Sequence, residues 1–112
     1  MPFVQLSLLR GKPAPAIRVI ADGVHQTLVE AFETLPKDRF QVIHQLAPDE
    51  LRFDADYLDG HRTPDLVLLH LVAARTRSTT TKQAFYQAVV NRLAYDPGLR
   101  PQAVQLILSP NE

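Results

Sequence analysis

Three short stretches hold the side chains best suited to chemistry. The first is Pro2. Once Met1 is trimmed, which is usual before a small residue, Pro2 exposes a secondary amine. This is a nucleophile and base whose ordinary pKa lies just above neutrality. By itself Met-Pro opens many proteins and says little. The second stretch is Arg75-Thr76-Arg77. On an extended segment, residues two apart point the same way. Two guanidinium forks then stand side by side as a clamp for a carboxylate or phosphate, although in isolation a solvated charge pair explains them as well. The third is Pro36-Lys37-Asp38-Arg39-Phe40. Asp38 can act as a base or orient a water, and it can equally close a turn or pair with Lys37 or Arg39.

Other clusters carry less. Asp54, Asp56, Asp59 and Gly60 hint at a calcium loop. The register fails, because Leu58 falls on a ligand position and Gly60 comes one place late. His25, His44, His61 and His70 lack paired metal-ligand spacing, and His44 and His70 read as hydrogen-bonded strand residues. Ser7, Ser78 and Ser109 have no nucleophile-elbow context. With four glycines in all, no phosphate-cradling loop is present. The absence of cysteine removes disulfides, thiolate nucleophiles and Cys-ligated zinc.

The elements that must position these groups follow from periodicity. Phe3 to Leu9 sets Val4, Leu6 and Leu8 against Phe3, Gln5 and Ser7, the alternation of a strand. Pro13 and Pro15 suit a helix's first turn. Ile17, Ile20, Val24, Leu28, Ala31 and Phe32 then form one apolar helical face, with Arg18, Asp22, Gln26, Glu30 and Glu33 elsewhere on the wheel. Leu35-Pro36 ends that helix. Residues 40–46 read as a second strand, and 47–64 as an irregular connector. Residues 66–73 are almost continuously apolar, as for a strand buried on both faces. Ser78 and the threonines after it offer N-cap hydroxyls. Phe85, Ala88, Val89 and Leu93 follow at helical spacing, Asp96-Pro97-Gly98 stops that helix, and residues 103–108 alternate as a last strand.

The expected fold is therefore α/β (α+β), a single domain over residues 1–112. Two tandem β-α-β units, roughly 1–46 and 64–109, form a four-stranded mixed sheet with two helices on one face. The second strand runs parallel to the first, so Asp38 enters at the Pro2 end of the sheet. With the two halves antiparallel and the first and third strands adjacent, Arg75 and Arg77 reach that end too. An amine, a carboxylate and two guanidiniums then share one concavity. The opposite end has Arg10 and Lys12 facing Pro64, whose nitrogen is acylated, and is expected to be inert. Both sheet faces carry apolar residues while two helices cover only one, so the open face is expected to bury itself against other subunits.

Composition narrows the partners. Twelve Lys and Arg balance twelve Asp and Glu, which leaves no basic footprint for nucleic acid or acidic lipid. The longest apolar run, 66–74, is too short to span a membrane. Residues 1–9 have no basic leader and contain Gln5 and Ser7, unlike a secretory signal. A cytoplasmic location is expected.

Taken together, Met-Pro before a strand, the segment Pro36-Lys37-Asp38-Arg39-Phe40-Gln41, and Arg75-Thr76-Arg77 before a helix resemble the tautomerase superfamily. The match is best to its malonate semialdehyde decarboxylase branch and runs over nearly the whole chain. The resemblance implies a β-α-β-β-α-β fold, a homotrimer, and neither cofactor nor metal. It gives Pro2 the catalytic amino-terminal proline role, Asp38 the carboxylate role, and Arg75 with Arg77 the hold on the substrate carboxylate. It departs from that branch in following the last strand with Pro110-Asn111-Glu112 rather than an aromatic tail.

The expected activity is decarboxylation of a small 3-oxo acid, with a cationic Pro2 polarising its carbonyl. The alternatives are keto-enol tautomerisation or hydration of 2-oxo acids with a neutral Pro2 as base, and a non-catalytic trimer that binds a small carboxylate.

Overall fold

A computed structural model describes residues 2–56, 64–73 and 77–110. The elements are β1 (Phe3–Leu9), α1 (Ala14–Ala31), β2 (Gln41–Leu46), β3 (Val67–Ala73), α2 (Thr79–Tyr95) and β4 (Val104–Pro110), with a 3₁₀ turn, Pro101–Ala103, leading into β4. The strand order is β2-β1-β3-β4. β1 pairs in parallel with β2 and β3 with β4, while β1 and β3 are antiparallel. The mixed sheet and paired β-α-β units are those expected from the hydrophobic periods.

The core lies between the sheet and the helices. Val4, Leu6, Leu8, Val67, Leu69 and Leu71 alternate inward along the central strands and are fully buried. All but Leu8 form one cluster with Ile20, Val24 and Leu28 of α1 and Phe85, Val89 and Leu93 of α2. Burial on this scale, about 1.5–3 kcal/mol for each large side chain, is what holds two short helices on the sheet. Phe32 stacks on Phe85 with ring centroids 4.5 Å apart and ties the end of α1 to α2. Gly23 lets the helices approach closely, since a Cβ there would stand 3.3 Å from Arg92 Cδ. Arg92 Nη2 in turn reaches both oxygens of Glu30.

The helix ends follow the local chemistry. Pro13 is the N-cap of α1 with Pro15 in its first turn, where missing N–H groups cost nothing. Ser78 caps α2 by accepting from Thr81 N–H at 3.1 Å. Gly98 follows α2 at φ 99°, a conformation open to glycine.

The strand limits shift slightly from expectation. β2 starts at Gln41 rather than Phe40. Phe40 still accepts from Val4 N–H at 3.0 Å, but its ring turns to Phe3, centroids 5.2 Å apart. β4 starts at Val104, because Ala103 belongs to the turn opened by Pro101 and bonds to Arg100 O. It ends at Pro110, opposite Ala73, instead of at Leu108.

On the face away from the helices lie Gln5, Ser7, Leu9, Val42, His44, Leu46, Leu68, His70, Val72, Gln105, Ile107 and Ser109, as the registers and burial alternation require. His70 is hydrogen bonded as expected, bridging β1 and β4 through Gln5 Oε1 (3.3 Å) and Ser109 Oγ (3.1 Å). His44 is not: it sits on edge strand β2 next to Ser7 and makes no hydrogen bond to a described residue. Among the described residues no helix is long and apolar enough to cross a membrane.

Candidate active site

One end of the sheet gathers three chain segments. The antiparallel register sets Phe3 against Val72, so β1 enters where β3 leaves. The parallel register sets Val4 against Gln41, and Val4 N–H donates to Phe40 O. Pro2, half-buried, directly precedes β1 at this end, and Asp38 lies three residues ahead of β2. Arg77, half-buried, follows β3 and leads into α2. Arg75 lies outside the described residues, as do Asp59, Gly60 and His61.

Asp38 is carried by a built turn. After α1 the chain takes Glu33 through φ 57°, a left-handed conformation that is uncommon for a residue with a side chain. Thr34 N–H returns to Leu28 O at 3.2 Å. Residues 35–38 then form a β-turn closed by Asp38 N–H to Leu35 O at 2.9 Å, with Pro36 at the position its fixed φ favours. The turn is tied to α1 on both sides of Asp38. His25 Nε2 lies 2.8 Å from Pro36 O. Arg39 Nη2 donates to Asp22 Oδ1 at 2.7 Å and to Gln41 Oε1 at 2.9 Å, and Gln41 Nε2 donates to Ala21 O at 2.8 Å.

Arg77 is anchored in the same region. Its guanidinium carbon stands 4.5 Å from the centroid of the Phe32 ring, and Nη2 donates to Phe32 O at 3.2 Å. Phe32 is the C-cap of α1, where carbonyls lack helical partners and the dipole favours a cation. The side chain expected to meet substrate therefore also closes a helix end.

The opposite end differs in kind. Arg10 and Lys12 leave β1 where β3 enters after Pro64, and Arg10 N–H bonds to Leu46 O. No group of three or more metal-ligating side chains occurs among the described residues.

The sequence reading did not single out His25 or Phe32 as supports of the site. For His25 a signal was present. It stands four residues after Ala21 and three before Leu28, which places it on the apolar face of α1, where it is 9% exposed. Phe32 is in the core, as its place on the apolar face of α1 predicts, but spacing does not reveal its carbonyl and ring contacts with Arg77.

Against known proteins, the family described as "Tautomerase enzyme" matches residues 38–112. The chain belongs to the tautomerase family. "Probable tautomerase YusQ" of Bacillus subtilis (strain 168) is 31% identical over 112 residues, covering 100% of this chain and 88% of that protein. A malonate semialdehyde decarboxylase, solved as wild type, mutant and inactivated enzyme, superposes with a TM-score of 0.90 at 30% identity, covering 98% of this chain and 84% of its own. A second malonate semialdehyde decarboxylase, inhibited by 3-bromopropiolate, gives 0.89 at 28% identity, with 97% and 82% covered. A fused 4-OT symmetric trimer shares the fold at a TM-score of 0.77 and 12% identity, with 97% and 85% covered. The family is one of enzymes.

Proposed function

We propose that this tautomerase-family chain is a cofactor-independent decarboxylase of small 3-oxo acids such as malonate semialdehyde, working through the freed amine of Pro2. The observation that carries the reading is the register of β1 with β3 and β2, which opens Pro2, the Asp38 turn and the exit of β3 at one end of the sheet. The 30% identity to a malonate semialdehyde decarboxylase over nearly the whole chain supports the choice of substrate class.

In this reading Arg75 and Arg77 hold the substrate carboxylate. Cationic Pro2 hydrogen-bonds to the carbonyl oxygen. The bond between the carboxylate carbon and C2 breaks, carbon dioxide leaves, and the electron pair flows onto that oxygen, where the cation stabilises the enolate. C2 then takes a proton to give the aldehyde. Asp38 favours the cationic amine, whereas the two guanidiniums favour the neutral one. Their balance decides between decarboxylation and the second reading, in which neutral Pro2 moves a proton as base between carbon and oxygen. The "probable tautomerase" relative favours that second activity as a companion.

The open face, with Ile107 47% exposed and Leu9, Val42, Leu46, Leu68 and Val72 on the same side of the sheet, suits a homotrimer, as the fused 4-OT neighbours are trimers.

The test is intact mass followed by turnover. Loss of Met1, turnover of a 3-oxo acid and its disappearance in Pro2→Ala support the reading. Retained Met1 blocks the amine and leaves only a carboxylate-binding module. Met-free protein that turns over neither 3-oxo nor enolisable 2-oxo acids overturns it.

A further inference from the structure

We propose that His25 is a positioning residue for Asp38, acting through the backbone of the turn that carries it. The inference rests on the reading above, in which Asp38 faces the substrate. A carbonyl oxygen only accepts, so the 2.8 Å contact to Pro36 O requires the hydrogen on Nε2 of His25. His25 is 9% exposed while Pro36 is exposed, so this bond is partly shielded from the water that competes for the carbonyl. Pro36 and Lys37 are the central residues of the β-turn that Asp38 N–H closes. Pro36 has no N–H to donate, and the segment leading to it runs through the left-handed Glu33, so the backbone support of the turn is limited to Thr34 N–H to Leu28 O before it and the closing bond of Asp38 N–H. Of the other ties to α1, Thr34 N–H to Leu28 O holds the chain ahead of the turn, while Arg39 to Asp22 and Gln41 to Ala21 grip it after Asp38. The Arg39 pair is exposed to solvent. Among the described residues His25 is thus the buried side-chain clamp ahead of the carboxylate, and it helps fix where β2 begins relative to the end of α1.

This role makes a specific demand on kinetics. Asp38 serves decarboxylation more than simple enolisation, and the substrate carboxylate is held elsewhere, by Arg75 and Arg77. Loosening the turn should therefore lower kcat for decarboxylation and leave KM nearly unchanged. Displacements of about 1 Å can cost up to about a hundredfold. For His25→Leu, which fills the space and removes the donor, a fall of about tenfold is expected. His25→Gln, whose amide nitrogen can reach Pro36 O, should recover most of it. Enolisation of a 2-oxo acid should change far less.

The deciding experiment is a double-mutant cycle on the Met-free protein, with His25→Leu and Asp38→Asn separately and together. If His25 acts through Asp38, His25→Leu costs nothing further in the Asp38→Asn background. An equal fractional loss in both backgrounds overturns the proposal, as does failure of His25→Gln to restore kcat in a folded protein. Asp38→Asn with undiminished decarboxylation overturns instead the reading of Asp38 itself. Amide hydrogen exchange at Asp38 gives a readout free of activity. Its protection should fall in His25→Leu and return in His25→Gln, and unchanged protection sinks the clamp. Should His25→Leu not fold, His25→Asn, whose amide stops short of Pro36 O, takes its place in the same cycle.

Discussion

Arg77 packs its guanidinium 4.5 Å from the ring centroid of Phe32 and donates to the carbonyl of the same residue. One side chain thereby closes the end of α1, covers the face of a core aromatic and stands at the site end of the sheet. Its removal should be felt twice. The lost cation–π contact contributes about 0.5–2 kcal/mol, and the lost hydrogen bond about 0.5–1.5 kcal/mol. Arg77→Ala should lower the melting temperature by several degrees and also raise KM for the oxo acid. If Arg75 serves only the substrate, Arg75→Ala should raise KM at unchanged melting temperature. Thermal melts and Michaelis curves on both variants separate the two roles. Equal melting losses would show that Arg75 is structural as well.

The Asp22–Arg39 pair makes the opposite case. Its side chains are 66% and 39% exposed, so water and salt screen it. Asp22→Ala should cost less than about 1 kcal/mol, and the difference from wild type should shrink further in 0.5 M salt. Denaturant titration at two ionic strengths measures this. A large salt-independent loss would mean that Arg39 holds the Asp38 turn more firmly than an exposed pair can.

Much of this arrangement was legible beforehand, and the reason is period. Alternation at Val4, Leu6 and Leu8 and the three-four spacing of Ile17, Ile20, Val24 and Leu28 each demand one element, and both are present. Topology then carried Pro2 and Asp38 to one end of the sheet, because a parallel strand must enter beside its partner's start. Contacts that depend on a backbone carbonyl left no such trace. Phe32 O and Pro36 O are acceptors that any residue type supplies, so the partners Arg77 and His25 could not be read from residue identity alone. His44 shows the converse. Its residue type suggested a hydrogen bond, but the edge position of β2 leaves it with Ser7 alongside and no bond to a described residue.

The protonation state of the Pro2 amine gives a pH test with a definite sign. A cation that polarises the substrate carbonyl is present below the amine's pKa and lost above it. Decarboxylation kcat/KM should therefore hold at low pH and fall as pH rises through that pKa, which for an ordinary α-amino group lies just above neutrality. Enolisation by the neutral amine should rise over the same interval. Both profiles, measured on one preparation, should cross-report a single group. Two profiles bending the same way would show that one amine does not serve both reactions.

The open face supplies the last test, through Ile107. This side chain is 47% exposed, pairs with His70 across β3 and β4, and lies on the sheet face that the helices leave bare. If three copies close over that face, a carboxylate at this position must be buried with only the imidazole of His70 beside it, whose nitrogens are already engaged by Gln5 and Ser109, at a cost of several kcal/mol. The same carboxylate on a solvated sheet costs almost nothing, since Ile107 takes no part in the core between sheet and helices. Ile107→Glu should thus convert a trimer of about three times 12.6 kDa into a monomer with unchanged helix content. Light scattering behind size exclusion and circular dichroism read the two quantities separately. A variant that remains trimeric would place the interface elsewhere, and a monomeric wild type would remove the trimer from the proposed function.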